Sequence, residues 1–192
     1  ILEVDMNIVF IGATEFGLRC LESITRLDGV NITGVVTAQK EFNISYAGKN
    51  KVRNVRHVDF GDLCNLYNIP LNTLEGKMNE ASLFDRVQSW KPDIFLVVGW
   101  YHMIPNTWRR LAPAFGLHAS LLPKYSGGAP LVWALINGEK ETGITLFQME
   151  EGVDSGPIAG QKLVVIDQKE TIATLYSKIE ERGIELLVEC VP

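Results

Sequence analysis

At 192 residues and 21.4 kDa, the chain is long enough for one domain with a real core, burying roughly 70% of the surface its unfolded form exposes. Hydrophobic residues at 46% and charged residues at 21% exclude a disordered or fibrous chain. A net charge of -5 and a pI near 5.3 argue against a segment that mainly binds nucleic acid, because phosphate neutralisation needs a basic surface. In chain order, the first element is the apolar run Asn7 to Gly12, which reads as a strand. A helical pattern follows, with Phe16, Cys20, Leu21 and Ile24 expected inward. Val30 to Val36 is a second, β-branched strand, and Asp93 to Val98 (DIFLVV) is nearly continuous in apolar residues, as a strand covered on both faces should be. Phe115 to His118 and Gly143 to Met149 are further strand candidates. Thr171 to Glu189 is expected to be a long helix capped by Thr171, with Ile172, Leu175, Ile179 and Leu186 on its apolar face. Strands alternating with amphipathic helices predict an α/β fold: a Rossmann-like, open, mostly parallel twisted sheet with helices on both faces.

The cysteines Cys20, Cys64 and Cys190 lie far apart and are odd in number, matching neither a zinc-ligand spacing nor a disulfide framework and favouring a reducing cytosol. No stretch approaches the roughly 18 uninterrupted apolar residues of a membrane span. Ile1 to Asp5 carry two acids and no base, unlike a signal peptide. Met6 reads as the natural start, with residues 1–5 extraneous to it, and the protein as soluble, cytoplasmic and not membrane-associated.

Two loops are candidates for a site, since open α/β sheets bind ligands at strand C-terminal ends. Residues 38–56 carry Lys40, Lys49, Lys51, Arg53 and Arg56 against one acid, Glu41, and read either as a landing site for a phosphate-bearing molecule or as a solvated loop. Residues 119–130 (ASLLPKYSGGAP) hold two prolines and two glycines directly after a strand. Other motifs fall away. Gly12-Ala13-Thr14-Glu15-Phe16-Gly17 lacks the middle glycine of a dinucleotide fingerprint and would turn Glu15 toward a pyrophosphate, so it reads as a plain strand-to-helix turn and gives no support for NAD. His57, His102 and His118 show no helical ligand spacing, and no C-x-x-C or H-E-x-x-H occurs, so no metal is expected. Ser120 has no nucleophile-elbow context and reads as a residue that satisfies backbone groups in a tight loop.

The informative constellation is His118 to Pro130 (HASLLPKYSGGAP), then Gly143-Ile144-Thr145, then Gly152 to Ile158 (GVDSGPI). A histidine at a strand's end is followed by a rigid Pro/Gly loop, and an aspartate between glycines can approach it. With Asp93 to Pro105 (DIFLVVGWYHMIP), these blocks resemble the folate-dependent formyltransferase family from about Asn7 to Leu187. The pattern is most similar to the amino-terminal catalytic domain of methionyl-tRNA formyltransferases. That resemblance implies residues 6–192 as the catalytic domain, followed in such relatives by a carboxy-terminal domain that helps hold tRNA.

It also implies transfer of a formyl group from 10-formyltetrahydrofolate, without a metal, to a primary amine such as methionyl-tRNA or an amino-sugar nucleotide. The family His and Asp map to His118 and Asp154. The family Asn, two residues before the His, maps to Gly116, a departure at the chemistry itself. Ser120, Asn106 and His102 are candidates to supply the missing donor. The alternatives are a folate-binding module with weak or no transfer, and a 10-formyltetrahydrofolate hydrolase. By the same resemblance, folate would be held by Trp100, Tyr101, His102, Met103 and Ile104, by Ser120, Leu121, Leu122 and Pro123, and by Glu151, Gly152 and Val153. The side chain of His102 would face solvent. Tyr125 and the Pro130–Trp133 segment lie where family members grip the acceptor, and ordinary aromatic packing is an equal account of them.

Overall fold

The computed structural model describes residues 5–42 and 52–191. Two compact units make up the chain, the first ending at Ala114 and the second beginning at Phe115. Of the basic loop, Lys49 and Lys51 lie outside the described residues, as do residues 1–4 of the segment expected to be extraneous.

In the first unit, β1 (Met6–Ile11) leads into α1 (Glu15–Ile24), β2 (Val30–Ala38) and an antiparallel pair of two-residue strands, β3 (Glu41–Phe42) and β4 (Val52–Arg53). Then come α2 (Gly61–Leu66), β5 (Leu71–Leu74), α3 (Ala81–Ser89), β6 (Ile94–Val97) and α4 (Asn106–Leu111). The main strands run parallel in the order β5-β2-β1-β6. A central parallel strand is covered on both faces, which explains the unbroken apolar run after Asn7: Ile8, Val9, Phe10 and Ile11 are fully buried. Phe10 meets Phe60 at 6.2 Å between ring centroids, and Phe95 meets Trp108 at 5.4 Å. Helix α1 buries Gly17, Cys20, Leu21 and Ile24. Phe16, expected inward with them, is only half-buried, and Gly17 takes the buried position because a Cβ there would lie 2.9 Å from the Val98 carbonyl oxygen.

The second unit continues β7 (Ala114–His118) and adds α5 (Pro130–Ile136), β8 (Glu141–Gln148), β9 (Ile158–Val165) and α6 (Ile172–Cys190). Here the strands pair antiparallel, β7 with β8 and β8 with β9. Helix α6 starts where the sequence predicts. Thr171 accepts from the Thr174 backbone N–H and Thr174 answers to the Thr171 N–H, which satisfies two of the helix's otherwise orphan donors. Leu175, Ile179, Leu186 and Leu187 are buried, while Ile172 is 38% exposed. That corrects its burial: Ile172 shares a face with Leu175 and Ile179, three and seven residues on, but stands at the first helical position, where the stripe ends uncovered.

Candidate functional site

Strand β7 alternates, so Gly116 and His118 share one face and both are buried. The strand stops at His118 because the backbone folds back there, the Ser120 N–H donating to the His118 carbonyl at 2.9 Å. The His118 ring is 9% exposed and held at both nitrogens. Nδ1 lies 3.3 Å from Asp154 Oδ2, and Nε2 lies 2.7 Å from the backbone carbonyl of Tyr125. Asp154 Oδ2 also accepts the Gly127 N–H at 2.7 Å, which ties the two loops together.

Asp154 reaches this place through a left-handed backbone, φ +48°, between Gly152 at +120° and Gly156 at +125°. Aspartate tolerates that region better than most residues, and the flanking glycines tolerate it best. Glycine is required at 156 for space as well, since a Cβ there would lie 2.1 Å from the Gln148 carbonyl oxygen.

The loop 119–125 is fixed by a buried polar network. Thr145 Oγ1 donates to the Ser120 carbonyl at 2.6 Å and accepts from the Leu122 N–H at 3.1 Å and from Gln161 Nε2 at 2.9 Å. Gln161 Nε2 also reaches the Leu122 carbonyl at 2.9 Å. Ser120, fully buried, spends its hydroxyl on the Lys124 carbonyl at 2.7 Å, which is the structural role its sequence context suggested. Leu121 packs over Gly143, Leu122 is buried, and Pro123 is exposed after a cis Leu122–Pro123 bond. Glu151, Gly152 and Val153 are exposed, with the Glu151 carbonyl accepting from Ser155 Oγ at 3.2 Å.

In the first unit, β6 runs out into Gly99 at φ +63°, where Thr14 packs so closely that a Cβ would lie 2.0 Å from its Oγ1. Of the residues that follow, Tyr101 and Met103 are exposed, Trp100 is half-buried and Ile104 is buried. His102 is half-buried rather than facing solvent as expected: its ring lies tilted against Trp100 with centroids 5.3 Å apart, and burial lowers its pKa. Trp100 Nε1 is buried without a hydrogen-bond partner among the described residues, a donor left for something else to satisfy.

At Gly116 the terminal methyl of Met149 lies 2.7 Å from where a Cβ would stand, so an apolar side chain fills the space beside the strand. Of the candidate replacement donors, Ser120 is committed to Lys124, and Asn106 Oδ1 accepts from the Arg109 side chain. Sequence reasoning missed Tyr125 as the Nε2 partner, and it missed Met149 and Gln161. Thr145 lay within the quoted Gly143-Ile144-Thr145 block without a role. Among the described residues, no group of three or more His, Cys, Asp or Glu side chains could hold a metal ion, and no helix is long and apolar enough to cross a membrane.

A histidine at a strand end, paired with an aspartate from a glycine-flanked loop on an α/β chain, agrees with the comparison to known families: the chain belongs to the formyl transferase family, which matches residues 6–191. Its relatives include the methionyl-tRNA formyltransferase of Kosmotoga olearia, 34% identical over 186 residues, covering 96% of this chain and 57% of that protein. The methionyl-tRNA formyltransferase of Halalkalibacterium halodurans is 35% identical over 190 residues, covering 97% of this chain and 57% of the relative. The chain thus spans a little over half the length of the curated relatives it matches. Among solved structures, a phosphoribosylglycinamide formyltransferase from Bacillus halodurans superposes with a TM-score of 0.77 at 18% identity, over 96% of this chain and 93% of the other. A formyltetrahydrofolate deformylase from Pseudomonas syringae gives 0.78 at 18% identity, over 97% and 60%. Likeness at that identity shows the fold, and it bears out the Rossmann-like α/β reading with a mostly parallel sheet.

Proposed function

We propose that this chain transfers a formyl group from 10-formyltetrahydrofolate to a primary amine, with methionyl-tRNA or an amino-sugar nucleotide as the acceptor class. The observation that carries this reading is the buried His118 with Asp154 at 3.3 Å, in a chain of this family. 10-Formyltetrahydrofolate supplies a formyl carbon attached to a nitrogen that can leave. The amine nitrogen adds to that carbon, the bond from carbon to the folate nitrogen breaks, and one proton passes from the amine to the departing nitrogen. His118 and Asp154 are assigned the relay of that proton, a task for which imidazole is suited near neutral pH. For folate we assign Trp100, Tyr101, His102, Met103 and Ile104 in the first unit. In the second unit we assign Ser120, Leu121, Leu122 and Pro123 with Glu151, Gly152 and Val153. The unpartnered Trp100 Nε1 and the exposed Tyr101 and Met103 fit an aromatic, hydrogen-bonding ligand. tRNA as a partner rests on the curated relatives, of which this chain covers 57%.

The test is turnover of 10-formyltetrahydrofolate with a panel of amines, followed by His118→Ala, which should lower kcat by roughly 10²–10⁴. Turnover unaffected by that change sinks the assignment, and formate release without an acceptor would identify a hydrolase instead.

A second reading, a folate-binding module with weak transfer, draws on the Met149 methyl beside Gly116, where no side-chain donor can sit. Gly116→Asn separates the two. If the site has lost a donor, the variant gains about 10²-fold in rate, the usual worth of one oxyanion donor. If the site is organised around Met149, the new side chain meets that methyl and the rate falls.

A further inference from the structure

We propose that Tyr125, Asn137 and Glu139 form a positioning set that makes Nε2 of His118 the anchored nitrogen and Nδ1 the working one. This rests on the formyl-transfer reading for the role of Nδ1, but the anchoring itself does not. A carbonyl oxygen can only accept, so the 2.7 Å contact to the Tyr125 carbonyl requires hydrogen on Nε2. The hydrogen bond at one ring nitrogen fixes the tautomer at the other. In the neutral ring Nδ1 is then left with its lone pair facing Asp154 Oδ2 at 3.3 Å, two proton acceptors side by side. Such a pair has room for one shared proton. During transfer the proton released by the amine enters between Nδ1 and Oδ2, then moves to the departing folate nitrogen, so the pair ends as it began.

What places the Tyr125 carbonyl is unusual. Tyr125 sits at φ +56°, a region that a bulky side chain occupies only where its surroundings hold it. Its phenol supplies that hold: the hydroxyl donates to Glu139 Oε1 at 2.7 Å and accepts from Asn137 Nδ2 at 3.0 Å. Both partners are fixed at the end of α5, where the Asn137 N–H donates to the Trp133 carbonyl at 2.9 Å and the Glu139 N–H to the Ala134 carbonyl at 3.0 Å. Leu131 and Ala134 seat that helix in the core. The Asn137 amide pulls the phenol pKa down, but the Glu139 carboxylate and burial outweigh it and the net shift is upward, so the donor keeps its proton. A rigid helix end thus fixes a phenol, the phenol fixes a strained backbone, and that backbone fixes the ring.

The experiment is ¹⁵N NMR of histidine-labelled chain, with the His118 signals assigned by their loss in His118→Ala, beside steady-state kinetics. The native chain should show His118 as the Nε2–H tautomer with a slowly exchanging N–H proton. Tyr125→Phe and Glu139→Ala should mix the tautomers and broaden that proton. They should lower kcat roughly ten- to hundredfold, the scale of an ångström-level misplacement, with KM for 10-formyltetrahydrofolate held. Glu139→Gln, which keeps an acceptor for the phenol, should restore both readouts. An Nδ1–H tautomer in the native chain overturns the proposal. So do wild-type His118 signals and kcat in Tyr125→Phe and Glu139→Ala variants that melt like the parent. A native Nε2–H tautomer that is lost in Glu139→Ala, in a chain that transfers no formyl group, supports the anchoring and defeats the function reading alone.

Discussion

The turns that leave β1 and β7 both end a buried strand, and they are built in opposite ways. After β1 the chain consumes its own polar groups. Thr14 Oγ1 accepts the Gly17 N–H at 3.2 Å, and the Glu15 N–H goes to the Arg56 carbonyl at 3.0 Å. Asn54, 4% exposed, sends Nδ2 to the Ala13 carbonyl at 3.0 Å and accepts from the Arg56 N–H at 3.0 Å and Tyr101 hydroxyl at 3.3 Å. The start of α1 therefore offers few free donors to an anion, although this is the position where related folds cradle phosphates. After β7 the chain instead places a buried histidine against a carboxylate and holds Tyr125, Ala129 and Asp154 at positive φ. Strain persists where surrounding structure enforces it, and it gathers at sites that do chemistry. The difference between the turns is one of purpose: the first closes a strand end, and the second equips one.

The sharpest way to break that contrast is Asp154→Asn. Asparagine accepts the same left-handed backbone and can still take the Gly127 N–H on its amide oxygen, so the loop should keep its shape. With the amide oxygen in the place of Oδ2, the contact facing His118 Nδ1 is kept as well, and what is removed is the carboxylate's charge and its ability to take up a proton. The expected loss in kcat is roughly 10²–10⁴, with the melting curve close to that of the parent. A comparable loss of stability with little change in kcat would make the β7 turn a structural one after all.

How much of this was legible in the sequence depends on how local each feature is. Strand β1 announces itself as an unbroken apolar run and helix α6 by a helical period of buried residues, with Thr171 at its cap. β9 was silent for the opposite reason. Ile158, Leu163 and Val165 are 46%, 48% and 58% exposed, so its apolar residues do not mark a buried face. Helix α5 is too short for a period to show, and Pro130 at its start reads equally well as loop. In the basic segment, five charges drew attention, whereas the residue that organises its described part is the buried Asn54. For the site, His118 and Asp154 are far apart in sequence; the glycines around Asp154 only allow an approach, the resemblance pairs the two, and the 3.3 Å separation comes from the structure alone. Tyr125 acts through its carbonyl, and Met149 through a methyl that fills the space beside Gly116. Neither role has a side-chain signature.

Asn54→Ala probes the other half of the contrast. It strips the Ala13 carbonyl, the Arg56 N–H and the Tyr101 hydroxyl of one partner each. Buried polar groups left unsatisfied cost about 1–3 kcal/mol. The unfolding free energy should fall by that amount, seen as a lower urea midpoint at an unchanged m-value, while kcat per folded molecule stays near the parent's. A fall in kcat instead would mean that the β1 turn is part of the working site.

The smallest expected effect is at Thr14. Its hydroxyl caps α1, and replacement of such a cap by alanine costs about 1 kcal/mol. The side chain also packs against Gly99, whose positive φ starts the Trp100–Ile104 segment assigned to folate. Thr14→Ala therefore separates two ways in which a turn without chemistry of its own can still matter. If it only closes the strand end, the denaturation midpoint drops and the folate KM holds. If its contact with Gly99 sets the path of the following residues, removing the side chain frees that path, and KM for 10-formyltetrahydrofolate rises while kcat at saturation is retained. Thr14→Ser sharpens the choice, because it keeps the hydroxyl, which both caps α1 and lies nearest Gly99, and deletes only the methyl. A raised KM in both variants would assign the effect to packing, and a raised KM in Thr14→Ala alone would assign it to the hydroxyl.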